Sequence, residues 1–60
     1  MSNLEFTIRR DPNKPDPEGV EYWMYEEVIG VVERGDYLIV RTIHTTAMIP
    51  RWWIEAVKEK

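Results

Sequence analysis

The first regular pattern along the chain is an alternation of apolar and polar residues near its start. In the segment NLEFTIRR, Leu4, Phe6 and Ile8 occupy every second position and polar side chains stand between them. A period of two is typical of a strand that buries one face. We therefore predict a first strand here, with Phe6 in the core.

Residues 11–19 contain three prolines and a glycine, which predicts a long exposed loop.

The segment from residue 17 to residue 33 supports two interpretations. Asp16, Pro17 and Glu18 resemble a helix start with proline at the first position, and apolar residues then recur at helical spacing. The β-branched and aromatic side chains at most of these positions, together with Gly19 and Gly30, instead favour a strand. We favour one long strand that bends near residues 26–28. The alternative is a helix at 17–33, which would give an α+β fold.

The second half of the chain contains two turn signals. ERGD predicts a hairpin turn at Gly35 between strands at 28–33 and 36–43, because glycine readily takes a positive φ. YLIV is apolar on both faces, as in a central strand, and HTT at 44–46 predicts a weaker turn. After Pro50, RWWIEAVKEK fits either a helix or a helical turn followed by a short strand, and the sequence leaves both open.

The end of the chain resembles a known family of small domains. The segment IPRWWIEAV is similar to the last segment of SH3 domains, at Ile49, Pro50, Trp53, Ile54 and Val57. This resemblance covers about the last third of the chain. It implies an all-β, SH3-like small barrel of about five strands, with a helical turn or short helix near its C-terminus. It also implies that Pro50 and Trp53 line a groove for proline-rich peptides, whereas Trp52 packs inward. A helix with Trp53, Ala56 and Val57 facing inward would reverse the two tryptophans, and the sequence leaves both possibilities open.

Length and composition restrict how such a domain can be stabilised. The chain has 60 residues, enough for a single domain over 1–60, and a domain of this size buries only about 60% of the surface of its unfolded chain. It has no cysteine and one histidine, so we predict neither a disulfide nor a metal site, and no cofactor. Three tryptophans, three tyrosines and one phenylalanine supply apolar surface instead, and we predict self-association into a homo-oligomer.

The charge distribution excludes some classes of partner. The formal net charge is −3, and residues 16–33 hold six acids without a basic residue. A general binder of nucleic acid or of anionic membranes needs clustered Lys and Arg instead. No apolar run is long enough to span a membrane, and the start lacks the features of a secretory signal. We therefore predict a cytoplasmic location, which is the host cytoplasm if the protein is viral.

Residues with catalytic potential are few and lack partners in the sequence. His44 lies in a predicted turn without a nucleophile or carboxylate at a suitable spacing. Glu26 and Glu27 are neighbours on a predicted strand, so their side chains point to opposite faces and cannot share a proton. The RGD tripeptide is explained by the hairpin turn. We predict that the protein is not an enzyme.

Aromatic residues are the best candidates for a binding surface. In EYWMYEE, Tyr22 and Met24 share one strand face and Trp23 and Tyr25 the other. We predict that Trp23 and Tyr25 point outward with an acidic rim, and that one of Trp52 and Trp53 is buried. The predicted protein-binding residues are Trp23, Tyr25, Glu21, Glu26, Glu27, Trp52, Trp53, Pro50 and Arg51.

We interpret the chain as a non-enzymatic module that binds another protein. By analogy with small viral proteins, it could serve as a phage-type inhibitor or adaptor that occludes a larger host protein. One alternative is a single-strand nucleic-acid-binding small barrel that uses Arg9, Arg10, Arg41 and Arg51. Another is an oligomeric enzyme with its site at a symmetry axis.

Overall fold

The chain forms one antiparallel sheet of five strands. The computed structural model describes residues 2–15 and 17–60. The elements are β1 (Ser2–Arg9), β2 (Val20–Arg34), β3 (Tyr37–Thr42), β4 (Thr46–Pro50), a 3₁₀ turn (Arg51–Trp53) and β5 (Ile54–Glu59). The strands lie in the order β4-β3-β2-β1-β5. The prediction of an all-β fold is confirmed, and after Pro50 the chain forms a helical turn followed by a strand.

β2 is the longest strand and joins the two parts of the sheet. Its first half pairs with β1 and its second half with β3, so the alternative of a helix at 17–33 is wrong. The predicted bend is confirmed: Glu27 has a φ of 56°, and the register with β1 shifts there. The Glu27 amide donates to Asn3 Oδ1 at 3.1 Å. Each half of β2 pairs along one edge, and its β-branched and aromatic side chains lose less rotamer freedom in a strand than they would in a helix.

The core lies on one face of the sheet. Its buried residues come from four strands: Phe6, Ile8, Val28, Val40 and Ile49. The partly buried residues around them are Leu4, Trp23, Tyr25, Leu38, Ala47, Trp53 and Ile54. The prediction that Phe6 belongs to the core is confirmed, because its side chain is fully buried.

The predicted orientation of the β2 aromatics is wrong. Trp23 lies opposite Phe6 in the ladder between β1 and β2, and cross-strand partners share a face. Trp23 and Tyr25 therefore point toward the core, whereas Tyr22 and Met24 point away from it and are 67% and 47% exposed. Alternation shows that neighbours on β2 diverge, but the register with β1 decides which pair is buried.

The turns follow local sequence signals. The β2–β3 hairpin has two turn residues, Gly35 and Asp36, between the paired residues Arg34 and Tyr37. Gly35 has a φ of 61°, and a positive φ at the first turn position only is the pattern of a type II′ turn. The segment between β1 and β2 is exposed at residues 11–15, 17 and 18. Asp16, part of the predicted helix start and of the acidic stretch, lies outside the described residues.

Candidate functional site: the aromatic turn

The 3₁₀ turn at Arg51–Trp53 is tied to the β2–β3 hairpin. Pro50 ends β4, and the Arg51 amide next to it donates to the Asp36 carbonyl at 2.8 Å. The Arg51 guanidinium donates to the Gly35 carbonyl at 3.4 Å and lies 3.8 Å from a Glu33 carboxylate oxygen. The Ile54 amide closes the turn on the Arg51 carbonyl. These contacts hold the turn in one orientation relative to the sheet.

The two adjacent tryptophans of this turn have different environments. Trp53 is partly buried and packs edge-to-face on Trp23, with ring centroids 6.2 Å apart. The Arg10 guanidinium lies 5.7 Å from the centroid of the Trp53 ring, within the range of a cation–π contact. Trp52 is 68% exposed. One of the two rings is thus partly buried and not fully buried as predicted, and the inward packing of Trp52 that the SH3 resemblance implied is wrong.

The Glu21 carboxylate binds both of the side chains that contact Trp53. Trp23 donates from its indole nitrogen to Glu21 Oε1 at 3.2 Å, and Arg10 donates from Nε to Glu21 Oε2 at 2.7 Å. The Trp23 hydrogen bond and then the Arg10 hydrogen bond lower the pKa of Glu21. Since both oxygens accept hydrogen bonds, Glu21 holds in place Trp23 and Arg10, which both contact Trp53.

Two open depressions adjoin the aromatic turn. One, of about 230 Å³, is lined by the apolar side chains of Leu38, Ile54 and Val57 and by the ion pair of Arg51 and Glu33. The other, of about 290 Å³, is lined mainly by charged side chains of the β1–β2 loop and its flanks: Arg10, Asp11, Lys14, Glu18, Gly19 and Glu21. The first offers space for an apolar side chain beside the turn.

The remaining predicted binding residues lie apart from this turn. Tyr25 packs edge-to-face on Phe6 at 5.6 Å between ring centroids, and burial raises the pKa of its hydroxyl. Glu26 is exposed, and Glu27 lies at the bend of β2. The structure thus joins Glu21, Trp23 and Trp53 with the turn residues, and separates Tyr25, Glu26 and Glu27 from them.

Sequence reasoning missed two contacts between polar side chains. Glu27 Oε2 lies 3.3 Å from His44 Nε2, although no carboxylate near His44 in sequence suggested a pair. Arg10 was considered only for nucleic-acid binding, yet it contacts both Glu21 and Trp53. No local pattern in the sequence indicates the Arg10 contacts. They form because the pairing of β1 with β2 brings the two ends of the 11–19 loop together.

Other features of the chain give no further indication of function. Within residues 2–15 and 17–60, no group of three or more His, Cys, Asp or Glu side chains could hold a metal ion. The same part of the chain contains no helix that is long and apolar enough to cross a membrane. No family model, no curated protein and no solved structure matches this chain.

Proposed function

We propose that this chain is a non-enzymatic protein-binding module of the SH3-like type. Three features support the SH3-like architecture: a long loop after β1, the strand order β4-β3-β2-β1-β5, and a 3₁₀ turn led by Pro50 before the last strand. Within this function we favour an inhibitor or adaptor of the phage type that covers a host protein, by analogy with small acidic viral proteins.

The exposed Trp52 is the observation that carries the proposal. Its side chain is 68% exposed on a turn that is fixed by backbone and side-chain contacts to the β2–β3 hairpin. Tryptophan is enriched among the residues that dominate binding energy at protein interfaces. A turn already held in place also loses little conformational freedom on binding, which leaves more of the contact energy for affinity.

The apolar depression beside the turn supports the same conclusion. It is lined by Leu38, Ile54 and Val57 together with the Arg51–Glu33 pair. A partner that covers Trp52 could place an apolar side chain there, where burial stabilises the complex by about 25 cal/mol per Å². An apolar centre with a polar border is the usual anatomy of a protein interface.

The arginines needed for the nucleic-acid alternative are mostly compensated by acids. Arg9 lies 2.7 Å from Glu55, and Arg10 and Arg51 pair with Glu21 and Glu33. A groove that follows a phosphate backbone needs uncompensated positive charge along it. The protein-binding proposal is therefore the one that the arrangement of these side chains favours.

The experiment is a quantitative affinity capture with the immobilised wild-type chain, Trp52→Ala and Ile29→Ala. Ile29 is 56% exposed and belongs to no surface described above, so it is the control for the loss of an exposed apolar side chain. We expect proteins retained by the wild type and by Ile29→Ala to be lost from Trp52→Ala. A loss of about 2 kcal/mol, the scale of an interface hot spot, corresponds to roughly thirtyfold in affinity.

Two outcomes would contradict the proposal. One is retention of the same proteins at equal affinity by Trp52→Ala, with circular dichroism showing that all three chains are folded. The other is retention that disappears after nuclease treatment of the lysate and falls steeply with salt, which supports the nucleic-acid alternative.

A further inference from the structure

A second apolar surface lies on the side of the sheet opposite the core, across β2, β3 and β4. Val32 pairs with Ile39 and Ile39 pairs with Met48, so these three side chains form one row across three strands. Val32 and Met48 are 50% and 59% exposed. We call this surface the outward face. It comprises the row and the two rows beside it: Arg34, Tyr37, Pro50, Val32, Ile39, Met48, Gly30, Arg41 and Thr46.

The charge of the outward face differs from that of the whole chain. The face contains two arginines, Arg34 and Arg41, and no carboxylate, in a chain whose formal net charge is −3. Both arginines are exposed. Neither forms an ion pair with a carboxylate among residues 2–15 and 17–60, unlike Arg9, Arg10 and Arg51. The face therefore offers positive charge that no acid described in the structure compensates.

The size of the outward face indicates the kind of partner that fits it. Three strands about 4.8 Å apart and five residues of about 3.3 Å rise give a footprint on the order of 200 Å². A stable complex of two folded proteins buries about 800 Å² on each partner. A symmetric contact between two copies of this face would also bring arginines near arginines. Size and charge thus both favour a short acidic segment over a second copy of the chain.

The positions of the two arginines define the pattern of that segment. Arg34 pairs with Tyr37, and Arg41 lies four residues beyond Tyr37 on β3, which is about 13 Å along the strand direction. We propose that the outward face binds a short extended peptide segment with one or two apolar residues between carboxylates about 13 Å apart. The apolar residues would cover Ile39 and Met48, and the carboxylates would pair with Arg34 and Arg41. This inference is independent of the aromatic turn.

The test uses a capped peptide with the core Glu-Thr-Leu-Thr-Glu, which places two carboxylates and one leucine on the same side of an extended chain. The probe is titrated into ¹⁵N-labelled protein and followed by NMR, with Lys-Thr-Leu-Thr-Lys as the second peptide. We expect shifts of the β3 and β4 amides with the acidic peptide only. Arg41→Glu and Met48→Asp should each weaken binding at least tenfold, whereas Trp52→Ala should leave it unchanged.

Lys14→Glu is the matched control, because it makes the same charge reversal at an exposed position of the β1–β2 loop, away from the outward face. The inference is overturned if millimolar acidic peptide causes no shifts, or if the shifts lie outside β2–β4. It is also overturned if the lysine peptide binds equally well, if Lys14→Glu weakens binding as much as Arg41→Glu, or if a dimer of the chain covers this face.

Discussion

At the scale of single residues, Phe6 is the centre of the core. It lies between Trp23 on one neighbouring strand and Val57 on the other, and it packs edge-to-face on Tyr25. Its side chain is fully buried, so its removal would leave a cavity between partners from both neighbouring strands, β2 and β5.

We expect Phe6→Ala to lower the free energy of unfolding by about 3–5 kcal/mol, the usual cost of removing a buried phenylalanine. A loss of that size approaches the whole stability of so short a domain, at roughly 0.05–0.15 kcal/mol per residue. Urea unfolding followed by circular dichroism measures it, and Phe6→Leu should retain more of the stability. An unchanged unfolding midpoint in Phe6→Ala would show that the packing described here is wrong.

Glu21 gives the protein a specific acid sensitivity. Its folded pKa lies below the ordinary value of 4.5 because Trp23 and Arg10 donate hydrogen bonds to its carboxylate. The stability that this provides is fully present above pH 4.5 and is lost as the pH falls through the lowered folded pKa. We expect Glu21→Gln to reduce the loss of stability below pH 4.5, which unfolding midpoints measured across that range would show. Glu26→Gln, at an exposed carboxylate, is the control, and equal pH profiles for both variants would contradict the assignment.

At the scale of elements, the β2–β3 hairpin depends on one backbone conformation. Gly35 has a φ of 61°, and a Cβ added there would meet no atom within 4 Å. The effect of a substitution is therefore due to the backbone and not to a clash.

Gly35→Ala should cost about 1–2 kcal/mol, because a left-handed φ is unfavourable for a residue with a Cβ. Gly30→Ala is the matched control: it also meets no atom within 4 Å, but its φ lies outside that region. We expect it to be neutral or to stabilise the strand by up to about 1 kcal/mol, since glycine is unfavourable inside a strand. Thermal unfolding compares the two, and equal effects would mean that the turn does not require a glycine.

At the scale of the whole molecule, the sheet is thin and leaves much apolar surface uncovered. Its extents are 34, 26 and 15 Å. Large apolar side chains at least 40% exposed are Tyr22, Met24, Ile29, Val31, Val32, Tyr37, Ile43, Met48, Trp52 and Val57. The sides of β1, β2 and β5 opposite the core bring Met24 together with Glu5 and Lys58 in one cross-strand row.

We predict that the chain self-associates through this Met24 row. Glu5 lies between Met24 and Lys58 in this row. A twofold axis between Glu5 and Lys58 therefore places the acid of each copy opposite the base of the other, with Met24 beside this contact, and a symmetric dimer needs a self-complementary patch of this kind. Sedimentation at micromolar concentration should show a dimer or a larger species, and Met24→Asp should shift it to monomer. Met48→Asp introduces the same change on the outward face and should leave the dimer intact. A stable monomer in the wild type would refute the prediction.

Local signals in the sequence were sufficient for most of the fold. Alternation placed β1 and its buried Phe6, the ERGD turn placed the hairpin, and the prolines of 11–19 placed the loop. Each of these depends on residues adjacent in the chain, since side-chain period and allowed φ are local properties.

The candidate site depended on contacts between distant residues. A period of two shows that Trp23 and Met24 diverge, but only the pairing of Trp23 with Phe6 places it on the core side. The bend at Glu27 then shifts the alternation by one residue, so that Val28 is buried where a regular strand would bury Glu27. Trp52 is exposed, whereas Trp53 is partly covered by its contacts with Trp23 and Arg10. These two residues are distant from Trp53 in the sequence and lie beside it only when β1, β2 and β5 pair. Register and strand order are properties of the whole sheet, which is why tertiary structure decided these positions.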